Sequence, residues 1–145
     1  MTVSPQTILL LDDHPACLEA WDVLLQDLWP DVVCVMATTL ERGLQILTEG
    51  PPVDLVCADL ALPGSPPKHT LQALIQILPP SIPLILISGS VDALQGYDML
   101  RVGADSFCPK GMEPTQMQHR LYMTWASACG RRARVQAWNT RHPEG

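Results

Sequence analysis

The chain is poor in basic residues. Nine lysines and arginines stand against 15 aspartates and glutamates, which gives a formal net charge of −6. The acidic residues dominate before residue 120, whereas five arginines follow from Arg120 onward. Because phosphate contacts dominate the affinity for nucleic acids, the acidic body is not expected to bind DNA or RNA by itself. The basic tail is interpreted as a solvated helix end or linker.

Long apolar runs and paired cysteines are also missing. The longest apolar runs have the length of a strand, so no transmembrane helix is predicted. No secretory leader pattern is present at the start of the sequence, and we therefore expect a cytoplasmic protein without membrane contact. The five cysteines are scattered and include no CxxC pair, and the four histidines are dispersed. A disulfide framework or a zinc site is not predicted, and the histidines are interpreted as surface or capping residues.

The sequence does contain a regular alternation of strand and helix patterns, separated by its 14 prolines. Its 145 residues, 47% of them hydrophobic, are enough for one domain with a sizeable core. Strands are predicted at residues 7–11, 31–37, between Pro52 and Pro63, at 83–87 and at 106–108. A helix follows each strand: one begins at Pro15 with His14 as its cap, one is capped by Thr38 or Thr39, one is centred on Leu74, one spans 91–102 across Gly96, and one begins near Pro114.

This βα order, with short connections and right-handed crossovers, predicts an α/β fold. The expected architecture is a flavodoxin-like doubly wound sandwich with a five-stranded parallel sheet in the order 2-1-3-4-5. We expect the domain to span residues 5–128. Residues 129–145 are expected to form a basic helical extension or linker, partly disordered and frayed from Asn139.

Polar residues stand where the predicted strands end. Asp59 closes the third apolar run, and Asp12-Asp13, Ser88 and Lys110 follow the first, fourth and fifth runs. In a parallel sheet these ends share one rim, where open α/β sheets bind ligands. Taken alone, Asp59 could equally be a turn-forming aspartate, Lys110 a solvated surface lysine, and Ser88 a helix cap.

The combined spacing resembles the receiver domain of two-component response regulators. The similarity covers roughly residues 5–128 and is carried by Asp12-Asp13, by Asp59 with Leu62-Pro63-Gly64, by Ser88-Gly89, and by Gly103-Ala104-Asp105-Ser106-Phe107 leading to Lys110. The resemblance implies that Asp59 is phosphorylated by a sensor histidine kinase, a phosphotransfer protein or a small phosphodonor. Only self-phosphoryl transfer and autodephosphorylation are then expected, not enzymatic turnover.

Three carboxylates at one rim repel each other by about 4 kcal/mol per close pair at an effective dielectric constant of 20. Either a bound proton or a hard cation must offset this repulsion, and Mg²⁺ suits an open carboxylate site. The resemblance implies that Asp13, Asp59 and the backbone carbonyl of Ala61 ligate Mg²⁺, with Asp12 acting directly or through water.

The resemblance also implies a switch. The Ser88 hydroxyl would bond a phosphoryl oxygen, with Ser90 as the alternative, and the Phe107 ring would move inward. The surface formed by the fourth helix, the fifth strand and the fifth helix would then change. Phe107 could equally be a core residue. The chain departs from the family pattern at Gly111, where most receivers have proline, at Phe107, which lacks a hydroxyl, and at the small Ala61.

The sequence alone leaves several other functions open. Asp12-Asp13-His14-Pro15 is similar to receivers that precede helix-turn-helix DNA-binding domains, so the output could be transcription regulation by an attached or separate domain. A haloacid-dehalogenase-type phosphohydrolase would need an acid at the position of Ala61. A flavodoxin would need a loop rich in glycine and hydroxyls after the first strand. A fourth hypothesis is a domain that works only by binding other proteins. The fifth helix with its extension could mediate homodimerisation.

Overall fold

Ten elements alternate within residues 4–89 and 93–143, which the computed structural model describes. The strands are β1 (Thr7–Leu11), β2 (Val33–Ala37), β3 (Leu55–Asp59), β4 (Leu84–Ser88) and β5 (Ser106–Pro109). The helices are α1 (Pro15–Leu28), α2 (Leu40–Glu49), α3 (Pro67–Ile77), α4 (Ala93–Val102) and α5 (Pro114–Arg141). All strand pairs are parallel and the sheet order is β2-β1-β3-β4-β5, which confirms the predicted doubly wound α/β fold.

The sheet separates two hydrophobic cores. Because successive side chains of a strand point to opposite faces, Ile8 and Leu10 pack with α1 and α5, while Leu9 and Leu11 pack with α2 and α3. Every residue of β3 and β4 is buried, as expected for central strands covered by helices on both faces. A carboxylate at the end of β3 therefore lies at the edge of a fully apolar layer.

Local sequence signals fix several element ends. Thr39, and not Thr38, caps α2, since its Oγ accepts the backbone N–H of Arg42 at 3.1 Å. β2 begins at Val33 and not at residue 31, because the backbone N–H of Val32 closes a turn onto the carbonyl of Trp29 at 3.0 Å. The predicted start of the fourth helix at Val91 lies outside the described residues.

The prediction that His14 caps α1 is wrong for its side chain. His14 occupies the position before the helix, but it makes no side-chain hydrogen bond to the helix backbone. Its imidazole turns instead towards the two preceding aspartates, which belong to the site described below. Pro15 at the first helical position supplies the start signal, since its fixed φ suits a helix and its missing N–H costs nothing there.

The second half of helix α5 contacts the segments that precede β4 and β5. Asp105 follows the turn at Gly103, whose φ of 145° favours glycine, and it accepts the backbone N–H of Leu84 at 2.8 Å. The same aspartate pairs with Arg131 at 3.0 Å. Arg132 donates to the carbonyl of Ser81 at 2.7 Å and lies over the Trp125 ring, 5.1 Å from its centroid.

Helix α5 extends beyond these contacts. It ends at Arg141, and the predicted fraying from Asn139 stays a prediction. The basic character of this extension is therefore used partly for intramolecular contacts. Among the helices that the structure describes, none combines the length and apolar character needed to cross a bilayer.

Candidate functional site

The carboxyl ends of β1, β3, β4 and β5 carry the polar residues that the sequence indicated. Asp12 directly follows β1, Asp59 ends β3 and Ser88 ends β4. Lys110 directly follows β5, and its backbone N–H donates to the Ser88 carbonyl at 3.1 Å. The parallel register therefore places residues that are far apart in the chain around one pocket.

Lys110 reaches into this pocket. Its Nζ lies 2.7 Å from Asp59 Oδ2 and 3.2 Å from Asp12 Oδ2. Partial burial lowers the pKa of the Lys110 ammonium, but the hydrogen bond and charge of Asp59, followed by the charge of Asp12, outweigh it. The net result is a raised pKa. Lys110 is therefore a fixed positive charge between two buried carboxylates, and not a solvated surface lysine.

Asp59 is held in place by its own turn. Its side chain is 1% exposed, and Oδ1 accepts the backbone N–H of Ala61 at 2.9 Å. This bond fixes one oxygen and leaves Oδ2 directed at Lys110. A carboxylate with one oxygen anchored and the other facing a cation is well positioned for chemistry at the pocket.

His14 adds a residue that the sequence did not assign to the site. Its backbone N–H donates to Asp12 Oδ1 at 2.9 Å. Its Nδ1 lies 3.3 Å from Asp12 Oδ1 and 3.1 Å from Asp13 Oδ1. The imidazole is 62% exposed, so it lies at the mouth of the pocket beside both carboxylates.

The donor set fits a divalent cation. Ligand atoms of Asp12, Asp13, His14 and Asp59 all lie within 4.8 Å of one another. Asp13 Oδ1 and Asp59 Oδ2 are buried and accept no hydrogen bond of good geometry within the described residues, although charged groups lie near both. Buried carboxylate oxygens need partners, and Mg²⁺ takes such oxygens readily.

Ser88 ends β4, and Phe107 lies in the neighbouring strand β5. Ser88 is 1% exposed and stands next to Pro109 in the register of β4 and β5. Phe107 pairs with Leu86 and is half-buried against the core that α2 and α3 cover. Both positions are close to Lys110 along the chain or across the sheet. The alternative hydroxyl, Ser90, lies outside the described residues.

Cys17 is the second residue that the sequence did not assign to the site. Its Sγ lies 3.8 Å from Lys110 Nζ, and it shares a cluster of potential ligand atoms with Asp12 and His14. The sequence shows only that Cys17 lies in the first turn of the helix that begins after Asp12-Asp13-His14. The cysteines and histidines are dispersed in the sequence, so their spacing does not predict that Cys17 lies beside Asp12 and His14.

The position of Lys110 predicts competition with a metal ion. Replacing Lys110 with methionine is expected to tighten Mg²⁺ binding by roughly tenfold, because a like charge beside the same carboxylates is worth on the order of 1–4 kcal/mol. Isothermal titration calorimetry with Mg²⁺ measures the dissociation constant. Lys68→Met, at the chain's other lysine on the exposed start of α3, is the matched control and should leave the constant unchanged. Unchanged or weaker binding in Lys110→Met would contradict this electrostatic account.

Comparison with known proteins identifies relatives for most of the chain. The family model described as response regulator receiver domain matches residues 8–122. The glycerol metabolism activator of Pseudomonas putida is 30% identical over 112 residues, covering 76% of this chain and 49% of the relative. The nitrate/nitrite response regulator protein NarL of Escherichia coli K12 is 32% identical over 125 residues, covering 84% of this chain and 56% of the relative. The chain thus spans about half the length of these curated relatives.

Solved structures share the fold. A CheY-like receiver domain protein from Methanospirillum hungatei superposes with a TM-score of 0.74 at 22% identity, covering 88% of this chain and 99% of that one. A receiver domain protein from Clostridium thermocellum gives a TM-score of 0.73 at 22% identity, with coverage of 90% and 98%.

Proposed function

The chain belongs to the family of response regulator receiver domains, and from that membership we propose that Asp59 accepts the phosphoryl group. The observation that carries the proposal is the position of Asp59 at the end of β3, with Lys110 Nζ 2.7 Å away and Asp12 on the far side of that ammonium. Receiver domains are signalling proteins, so transfer to Asp59 serves as a signal and not as turnover of a substrate.

The transfer step requires a carboxylate oxygen of Asp59 to attack phosphorus. The P–O bond to Asp59 forms, the P–N bond of the donor phosphohistidine breaks, and its electron pair stays on the imidazole nitrogen. The hydrogen bond from Ala61 N–H holds the carboxylate in one orientation, which limits the entropy lost at the moment of attack. The surrounding apolar layer excludes water from the inner side of Asp59.

Charge neutralisation at the phosphoryl group comes from two sources. The Lys110 ammonium is already within reach of Asp59 and would contact a phosphoryl oxygen directly. Asp12, Asp13, Asp59 and the backbone carbonyl of Ala61 would hold Mg²⁺, which when bound neutralises phosphoryl oxygens and lowers the repulsion between carboxylates. We propose this ligand set because the first three residues carry the clustered and partly unpartnered oxygens.

The proposed switch connects the pocket to a surface. A phosphoryl group adds about −1.5 to −2 charges, which can shift an equilibrium between two conformations. Ser88 would respond to the phosphoryl group first, because it lies at the edge of the pocket. Its carbonyl also accepts a hydrogen bond from the Lys110 N–H. Phe107, only half-buried, has room to change its packing and thereby alter the surface formed by α4, β5 and α5.

The proposed partners are a sensor histidine kinase or a phosphotransfer protein. The matched relatives carry names of an activator and a response regulator, and this chain covers about half of their length. We propose that its output is transcription regulation through a DNA-binding domain, attached or separate. The acidic domain itself has no need to contact DNA for that role.

A haloacid-dehalogenase-type phosphohydrolase finds no support at the site. That reaction would need an acid two residues after Asp59, and Ala61 stands there with only its backbone N–H directed at Asp59. Family membership favours the receiver function over this alternative.

Phosphorylation can be measured directly. Incubation of the purified chain with acetyl phosphate and Mg²⁺ is expected to add the mass of one phosphoryl group, detected by intact-protein mass spectrometry. Chelation of Mg²⁺ with EDTA should reduce labelling strongly, because the carboxylates then repel the incoming donor. A folded protein that gains no adduct with Mg²⁺ present would overturn the proposal for acceptance from small phosphodonors.

A further inference from the structure

We propose that the pocket of this chain also binds a thiophilic divalent cation of the Zn²⁺ class through Asp12, His14 and Cys17. The carboxylate oxygen, imidazole nitrogen and thiol sulfur of these residues all lie within 4.8 Å of one another. Zn²⁺ combines sulfur, nitrogen and oxygen ligands in a tetrahedral site, whereas Mg²⁺ prefers oxygen alone. The set therefore discriminates between the two ions by ligand type.

The pocket already contains a cationic group next to two of the proposed ligands. The Lys110 ammonium lies 3.2 Å from Asp12 Oδ2, 3.8 Å from Cys17 Sγ and 2.7 Å from Asp59 Oδ2. A divalent ion bound by Asp12 and Cys17 therefore has to displace the Lys110 ammonium from these two residues. Asp59 is 1% exposed and paired with this ammonium at 2.7 Å, so it stays outside the proposed ligand set.

Helix α1 presents two of the three ligands. His14 stands immediately before the helix and Cys17 is its third residue, and their ligand atoms lie within 4.8 Å of each other. The imidazole is 62% exposed and Cys17 is partly exposed, which leaves a path for an ion from solvent. Asp13 Oδ1, 3.1 Å from His14 Nδ1, or a water molecule would complete four ligands.

The other cysteines are poor competitors for such an ion. Burial raises the pKa of Cys34 to about 12, with the hydrogen bond and charge of Asp22 adding to it. Burial also raises the pKa of Cys57 and of Cys108, in the latter against an opposing effect of Arg120. Burial therefore disfavours the thiolate form of these three cysteines. Cys129, which is partly exposed, is the remaining candidate and serves as the control position.

The consequence concerns the proposed signalling site and rests on the function proposed above. Asp12 belongs both to the proposed Mg²⁺ ligands and to the proposed Zn²⁺ ligands. A Zn²⁺ ion bound by His14 and Cys17 would therefore also bind Asp12. Lys110 would lose one of its two carboxylate partners. Zn²⁺ is therefore expected to compete with Mg²⁺ and to slow phosphorylation of Asp59.

Cobalt provides a direct test of the ligand set. Titration of the full chain with Co²⁺ in excess Mg²⁺ is expected to produce a near-ultraviolet thiolate-to-cobalt charge-transfer band that Zn²⁺ bleaches. Cys17→Ser should lose the band, and Cys129→Ser should keep it. His14→Gln, at an exposed position that does not threaten folding, should weaken Zn²⁺ binding by about tenfold or more, since even residues that only support metal ligands are worth that much.

Absence of the band in the unmodified chain, or its persistence in Cys17→Ser, would overturn the proposed site. Labelling with acetyl phosphate and Mg²⁺, with and without Zn²⁺, separates the two proposals. If no adduct forms without Zn²⁺, the phosphoacceptor function fails while the cobalt band can still stand. If the adduct forms and Zn²⁺ leaves its rate unchanged, the proposed competition is wrong.

Discussion

Replacing Asp59 with asparagine is expected to abolish labelling by acetyl phosphate and Mg²⁺ completely. The amide oxygen can still accept the Ala61 N–H, so the local turn should be retained. The amide lacks the negative charge and the nucleophilic oxygen that attack on phosphorus requires. Intact mass spectrometry of the variant measures the outcome, with circular dichroism confirming that it folds.

The matched control for this substitution is Asp31→Asn. Asp31 is an exposed turn residue before β2, so the same loss of charge there should leave labelling at the level of the unmodified chain. An adduct that persists in Asp59→Asn would place the acceptor at another residue. Peptide mapping of that adduct would then identify the competing side chain.

Replacing Trp125 with alanine is expected to lower the free energy of unfolding by about 3–5 kcal/mol. Trp125 is 1% exposed and meets Trp29 edge to face, with ring centroids 6.5 Å apart. It also carries Arg132 over its ring. The substitution removes a large volume from the core between the sheet, α1 and α5, and it frees the arginine that anchors α5.

Urea denaturation followed by far-ultraviolet circular dichroism measures this loss without relying on tryptophan fluorescence. Trp138→Ala is the control on the same helix, since Trp138 is 45% exposed and stacks only on His142 within the described contacts. It should change the free energy of unfolding by about 0.5 kcal/mol or less. If Trp125→Ala lowers the free energy of unfolding by less than about 1 kcal/mol, the prediction is wrong and this core region relaxes around the cavity.

The fold was predictable because proline and apolar runs divide the chain at nearly every connection. The order of five strand and helix units leaves few allowed topologies, and the observed sheet is the expected one. The rim location of Asp12, Asp59 and Lys110 followed from the same reasoning, since each stands at the end of an apolar run. These inferences use only local patterns and the geometry of parallel sheets.

Other features depend on contacts between distant residues and could not be predicted. The sequence does not show that Arg131 pairs with Asp105, 26 positions away, or that Arg132 reaches the carbonyl of Ser81. The sequence alone therefore does not predict where α5 is attached to the sheet. The sequence also does not show that His14 contacts two aspartates, because this contact depends on how the loop after β1 turns.

The anchoring of α5 gives the helix a mechanical property. The helix starts near the pocket, after Lys110, and it is clamped by Arg131 and Arg132 at the far end of the sheet. The nine residues from 133 to 141 extend past the clamp by roughly 14 Å at 1.5 Å per residue. If the start of α5 tilted slightly at the pocket, the helix would rotate about the contacts of the two arginines. Residues 133–141 would then move in the opposite direction.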